Sequence, residues 1–260
     1  MPAKHIISRD NPFFKSLRKL AESSRERRKS GKTLLDGEHL IAAYVATGGR
    51  PEALILSGGC EKTQVTAGLL AQLSDVPVTE FSPGLFSEIS PVKTPSGILA
   101  LVAIPSTPQA GQEFCVLLED IQDPGNLGAI MRSAAAAGVQ TVYLSRHCAD
   151  AWSPKVLRAG MGAHFALSIQ EAADLVQVAQ RLPGILIAAS LDAEQSLFDV
   201  SLTGPVAFAI GNEGAGLSAE LAQLARQKVK IPMPGAVESL NAAAAAAICF
   251  FERVRQTIAK

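Results

Sequence analysis

Three short segments hold the residue types that could do chemistry, and each follows an apolar run. The first is Asp123-Pro-Gly-Asn-Leu-Gly-Ala-Ile-Met-Arg-Ser133. Asp123–Pro124 suits a turn, Asn126 a helix N-cap and Gly138 a helix stop. Capping leaves Arg132 unexplained, a long cation in an otherwise small and apolar helix (Leu127–Val139). The second is Gly211-Asn-Glu-Gly-Ala-Gly-Leu-Ser218, where glycines permit positive φ and close backbone approach to a ligand. Glu213 is a carboxylate among those glycines, and a plain turn is the alternative. The third is Pro232-Met-Pro-Gly-Ala-Val-Glu-Ser-Leu-Asn241, followed by alanines from 242 to 247. Ser239 or Asn241 would cap the helix that begins there. The alanines favour helix and let another backbone approach closely, within the chain or across a subunit interface.

Neither common nucleotide fingerprint fits. The second segment spaces its glycines as G-x-x-G-x-G, whereas a dinucleotide site needs G-x-G-x-x-G. Gly31-Lys32-Thr33 imitates the end of a P-loop, but Glu26 stands where that loop needs glycine.

These segments must be positioned by the elements before them. From Phe114 onward short apolar strands are predicted at Cys115–Leu118, Thr141–Leu144, Ile185–Ala189, Val206–Ile210 and Val229–Ile231. Helical patterns lie between them at Leu127–Ala137, Glu171–Arg181, Ser218–Ala225 and Leu240–Ile258. Continuously apolar strands alternating with helices imply a parallel sheet covered on both faces, with ligands beyond the carboxyl ends of its strands. Residues 34–104 read as a small α/β unit, with a helix over Glu38–Val45 and strands at Ala53–Leu56, Val76–Thr79 and Ile98–Ile104. Residues 105–112, rich in Pro, Gly and Ser, read as the linker to a second domain at 113–260.

The chain is 260 residues long, 48% hydrophobic but only 5% aromatic, so its core relies on small and aliphatic side chains. Lys and Arg total 24, as do Asp and Glu. This neutrality hides an asymmetry. Residues 1–32 hold ten basic side chains against three acidic ones (Asp10, Glu22, Glu26), a net +7 that leaves −7 for the rest. A helical pattern runs from Asn11 to Lys29, so residues 1–33 read as a basic helical arm for a polyanion, the alternative being a solvated face. The longest apolar run, Ala242–Phe251, is ten residues, too short to span a membrane. The four cysteines (Cys60, Cys115, Cys148, Cys249) lie far apart and read as reduced thiols. No metal site is expected, and the expected compartment is the cytoplasm.

Taken in order, Asn126…Arg132, Gly211-Asn-Glu-Gly and Ser239-Leu-Asn241 resemble the three motifs of the SpoU/TrmH-type RNA 2′-O-ribose methyltransferases of the SPOUT superfamily. The resemblance covers about 114–258, including Ser153-Pro-Lys-Val-Leu-Arg-Ala-Gly-Met-Gly-Ala163. Leu34–Leu40 and Thr94-Pro-Ser-Gly-Ile-Leu-Ala100 are similar to the ends of that family's N-terminal substrate-binding domain. Ser133 stands where many members have Thr. The resemblance implies an α/β fold, with a C-terminal parallel-sheet domain tied in a deep trefoil knot and a small α/β RNA-binding domain before it. It also implies S-adenosylmethionine as cofactor and a homodimer with active sites near the subunit interface.

Carried over residue by residue, the resemblance assigns Gly211, Ile231 and Leu240, with Ser190 and Met233, to the cofactor site. Arg132 would serve the transfer step, with Asn126, Glu213, Ser239 and Asn241 orienting it, the ribose and the cofactor. Arg132 would hold the adjacent phosphate or act on the 2′-hydroxyl directly. Because a guanidinium does not give up its proton in proteins, phosphate-assisted deprotonation is the physically easier route. The RNA would be ribosomal rather than transfer RNA. The competing readings are a non-catalytic RNA-binding relative and a nucleotide-dependent oxidoreductase, which lacks its fingerprint.

Overall fold

The computed structural model describes residues 4–59, 63–92, 94–105, 111–212 and 214–258. The chain forms two compact units: Met1–Ser106 with Trp152–Phe165, and Thr107–Ala151 with Ala166–Lys260.

The first unit contains β1 (Lys4–Ile6), α1 (Pro12–Glu22), α2 (Ser24–Ser30), β2 (Lys32–Asp36), α3 (Glu38–Ala46), β3 (Ala53–Ser57), α4 (Gln64–Gln72), β4 (Val78–Phe81), α5 (Pro83–Ile89) and β5 (Ile98–Ala103). Its sheet runs β1-β4-β3-β5-β2. β1 and β3 lie parallel to β4, while β5 is antiparallel to both β3 and β2.

The basic arm expected at 1–33 is part of this unit. β1 is the edge strand beside β4, and Phe14, Leu17 and Leu20 lie in the core with Ile6, Phe81 and Phe86. The single helix expected from Asn11 to Lys29 is broken at Ser23, which closes α1 in an extended conformation and caps α2 by accepting from the Glu26 amide. Helical periodicity registered the apolar stripe but not the break. A buried phenylalanine cut to alanine typically costs about 3–5 kcal/mol, so Phe14→Ala is expected to lower the denaturant midpoint of this unit strongly. A midpoint unchanged from wild type would contradict the buried placement of α1.

The second unit begins with β6 (Phe114–Leu118), α6 (Pro124–Ala136) and β7 (Thr141–Leu144). The chain then gives α7 (Pro154–Gly160) to the first unit. There Arg158 pairs with the buried Asp36 at 2.8 Å, and the Thr33 hydroxyl donates to the Trp152 carbonyl at 2.6 Å. The expected 113–260 domain is therefore interrupted, because residues 152–165 find their polar and apolar partners around β2. The second unit resumes with β8 (Ser168–Gln170), α8 (Leu175–Arg181), β9 (Ile185–Ala189), β10 (Gln195–Ser196), β11 (Val206–Ile210), α9 (Ala219–Leu224), β12 (Gln227–Lys230) and α10 (Ala242–Ile258).

These strands form one sheet, β10-β12-β9-β11-β6-β7-β8, and every pairing in it is parallel. Both faces are covered, which is why its central strands are apolar without alternation. Cys115, Leu117, Ala207 and Ala209 meet Leu175 and Leu221 of α8 and α9 on one side. On the other, Phe114 meets Phe208 and Phe250 edge-to-face while those two are tilted to each other, with ring centroids 6.0–6.3 Å apart. α10 buries Ala242, Ala246, Cys249 and Phe250 at helical spacing and packs against α6. The alanine run thus serves close packing of two helices.

Several boundaries moved, among them that of β12, which runs Gln227–Lys230 rather than Val229–Ile231. α6 starts three residues earlier than expected, because Asp123 caps it and Pro124 occupies the first helical turn, where its missing N–H costs nothing. α8 starts at Leu175 under an Asp174 cap, and α10 starts after Asn241. β4 runs Val78–Phe81, past Pro77, rather than Val76–Thr79. The linker expected at 105–112 falls largely outside the described residues. Its last two lie on β7, where Gly111 accepts from Thr141 at 3.1 Å and Gln112 donates to the Tyr143 hydroxyl at 2.9 Å.

Burial pushes the Cys115 thiol up to about 11 and that of Cys249 up to about 12. Both therefore stay protonated near neutral pH and lack the thiolate that reacts. Iodoacetamide at pH 8 is expected to label neither in the folded protein and both in urea. Rapid native labelling of either, located by peptide mapping, would contradict this packing. Cys60 lies outside the described residues.

Candidate active site

At the carboxyl ends of β9, β11 and β12, three irregular segments enclose a cavity of about 370 Å³. Its walls are residues 188–192, the loop after β11 and the chain between β12 and α10. This is where a parallel sheet of this kind offers a ligand site, and the volume is that of a small-molecule pocket.

The loop after β11 is built by Asn212. Its backbone pairs with Gly216 in both directions, at 3.1 and 2.9 Å. Its side-chain oxygen accepts from the Gly214 and Ala215 amides at 2.9 and 3.1 Å, and its amide nitrogen donates to the Asp120 carbonyl at 2.9 Å. Gly216 takes φ +69°, and a Cβ on Gly211 would run into the Gly216 carbonyl. The glycines at 211 and 216 therefore answer to a close approach and a left-handed turn. Beyond the loop, Ser218 caps α9 and donates its amide to the Glu119 carboxylate at 2.7 Å.

The cavity collects the residues assigned to the cofactor: Gly211, Ile231, Leu240, Ser190 and Met233 all line it, as does Ser239. Asn126 and Asn241 are brought together nearby in the fold, Asn241 donating to the Asn126 side-chain oxygen at 2.8 Å. Asn241 also caps α10, accepting from the Ala243 and Ala244 amides at 2.9 and 3.4 Å. Its side chain therefore ties the start of α10 to that of α6. Asn126 is not the N-cap expected of it. Asp123 takes that role, accepting the Asn126 amide at 2.8 Å and leaving the Asn126 side chain available to Asn241.

Arg132 is not brought to the cavity of its own chain. It lies on the exposed side of α6 and is absent from the lining. Glu213 lies outside the described residues. Sequence reasoning missed Asn212 as the organiser of the loop, although Asn at a strand end followed by glycines is a recognisable side-chain turn signal. It also missed Asp192 and Lys228, charged lining residues that no motif marks.

Residues 113–251 match the SpoU rRNA Methylase family, and residues 11–100 match the MRM3-like substrate binding domain. The chain belongs to the SpoU rRNA Methylase family. It is an RNA methyltransferase of that type. It is 34% identical to a Synechocystis protein named as an uncharacterized tRNA/rRNA methyltransferase, over 96% of this chain and 93% of the relative. It is 30% identical to the 23S rRNA (guanosine(2553)-2′-O)-methyltransferase RlmP of Bacillus subtilis, over 95% of this chain and 98% of the relative. Among solved structures it resembles the SpoU methyltransferase AviRb from Streptomyces viridochromogenes in complex with AdoMet, with a TM-score of 0.83, 28% identity, and 96% and 100% of the two chains covered. The site of this SpoU-family chain thus lies in its methylase region, while residues 11–32 of the basic segment fall in its substrate-binding region. No helix among the described residues is long and apolar enough to cross a membrane.

Proposed function

We propose that this protein transfers the methyl group of S-adenosylmethionine to a ribose 2′-hydroxyl in structured ribosomal RNA, acting in the cytoplasm as a homodimer with the trefoil knot of its family. The observation that carries this reading is the cavity walled by the second and third motif segments and residues 188–192, which the five residues assigned to the cofactor all line. The lining fits the group. Small residues at 188, 189 and 211 leave room, Ile231, Leu240 and Met233 offer an apolar cover, and Ser190, Ser239, Asp192 and Lys228 offer polar partners. The bound cofactor supplies a methyl group already activated on a sulfonium. What remains for this chain is to hold the donor, align the ribose and relieve the hydroxyl of its proton.

Arg132 is assigned to the last of these tasks, holding the phosphate beside the reacting ribose so that a phosphate oxygen takes the hydroxyl proton, since the guanidinium itself cannot. Because it lies outside the cavity of its own chain, a complete site takes Arg132 from a second copy, which is the reason to propose the dimer. Glu213 is retained as an orienting residue on the strength of its motif alone. The preference for ribosomal over transfer RNA rests on the activity named for the Bacillus relative.

The test is direct. Purified protein is incubated with S-adenosylmethionine carrying a labelled methyl group and either protein-free ribosomal RNA or transfer RNA. Label is expected in alkali-resistant dinucleotides from ribosomal RNA, since a 2′-O-methyl group blocks hydrolysis at that position. Cofactor binding absent by calorimetry, together with no transfer to either RNA, would contradict the reading and favour the non-catalytic relative.

A further inference from the structure

The net +7 of the first 32 residues is not spread evenly once the side chains are placed. Arg9 pairs with Glu88 at 2.6 Å, Lys15 with Asp10 at 2.8 Å, Arg18 with Glu22 at 2.9 Å and Lys32 with Glu52 at 2.5 Å. Arg27 is buried and donates to the carbonyls of Leu20 and Ala21, so its guanidinium ties α2 to the last turn of α1. Of the five cations left, Lys4 is on β1, Lys19 is on α1 and the other three are on α2. Arg25, Arg28 and Lys29 are exposed and have no ion pair among the described residues. Spaced i, i+3 and i+4, they share one face of the helix, opposite the side that Arg27 anchors.

That face is held ready. α2 is capped by Ser23, closed by Gly31 in the left-handed conformation and tethered from within by Arg27, and the chain passes directly into β2. Three cations on a fixed backbone lose less freedom on binding than the same charges on a loose arm. The helix sequence, Ser-Arg-Glu-Arg-Arg-Lys-Ser, has no apolar side chain with which to enter a lipid surface. We propose that Arg25, Arg28 and Lys29 of α2 form the phosphate-contact ridge of the first unit, gripping the backbone of the RNA substrate without reading its sequence. This rests on the RNA methyltransferase reading and adds to it the surface that holds the substrate.

Removing residues 1–32 would not test the ridge, because it would also remove the core residues of α1. The experiment is a potassium chloride titration of binding to protein-free 23S ribosomal RNA, with calorimetric cofactor binding measured on the same proteins. Each phosphate contact contributes about 0.7–0.9 to the slope of log K against log salt. Neutralising all three (Arg25→Gln, Arg28→Gln, Lys29→Gln) is expected to lower that slope by about 2–3 and weaken binding about a hundredfold at 0.1 M salt. Cofactor binding should stay as in wild type. The single variant Lys29→Gln should lower the slope by about 1, which keeps the test valid if the triple variant folds poorly. A control neutralising two paired cations, Lys15→Gln with Lys32→Gln, should change the slope by less than either test variant does per residue. An unchanged slope in the folded triple variant would overturn the proposal and leave the enzyme reading intact. An equal per-residue loss in the control would overturn it too, by showing that total charge alone matters. So would vesicle binding, if wild type bound phosphatidylserine vesicles and the triple variant lost this while its RNA slope held. Absence of RNA binding and methyl transfer in the wild type would instead sink the enzyme reading.

Discussion

Replacing Arg132 with alanine is expected to abolish methyl transfer, lowering the rate by about 10³-fold or more, while cofactor affinity stays at the wild-type value. A charged donor aimed at the reacting centre is commonly worth that much. The separation of effects follows from position. Arg132 is exposed on α6 and lines no part of the cavity in its own chain, so removing it should disturb neither the core nor the pocket. Arg132→Lys should recover only part of the rate, because an ammonium keeps the charge but not the planar fork that matches a phosphate. Single-turnover rates beside calorimetric cofactor binding separate the possibilities. Loss of binding and transfer together would contradict the role assigned here.

Gly211→Val should do the reverse and strike cofactor binding first. Any side chain at this position meets the Gly216 carbonyl, part of the backbone bridge that shapes the loop after β11. The loop must move, and it is one wall of the cavity. A loss of at least about tenfold in cofactor affinity, roughly 1.4 kcal/mol, is expected, with methyl transfer falling as a consequence. Gly214→Ala in the same loop is the comparison, since its Cβ would stand 3.5 Å from the Asn212 side-chain oxygen, an ordinary contact. If the two variants bound the cofactor equally well, the close approach at Gly211 would not matter to the site.

The legible parts of the molecule were those where one physical constraint governs a run of residues. β6, β9 and β11 are continuously apolar because both sheet faces are covered, and they fall within a residue of where apolar runs alone put them. Part of the cavity lining was legible through motif order, since Gly211, Ile231 and Leu240 are dispersed over thirty residues of chain and only folding makes them neighbours. Other features depend on contacts that sequence spacing does not encode. Nothing in Phe14, Leu17 and Leu20 says which sheet they cover, so a core helix read as an arm. Asn126 looks like a cap, yet Pro124 moves the helix start and hands that task to Asp123. The Asn126–Asn241 bond joins residues 115 positions apart. Charge summed along residues 1–32 also misled, because five of those ten cations are spent on acidic partners or on the end of α1.

The central claim, transfer to a ribose hydroxyl of ribosomal RNA, is tested most directly by mapping 2′-O-methylation across all stable RNAs. Cells that make this protein would be compared with cells that lack it. One or a few ribose positions in ribosomal RNA should lose methylation without the protein. They should regain it when the wild-type chain is restored, but not when Arg132→Ala is. A map unchanged by the loss of the protein, or changed only in transfer RNA or only in base methylation, would contradict the account.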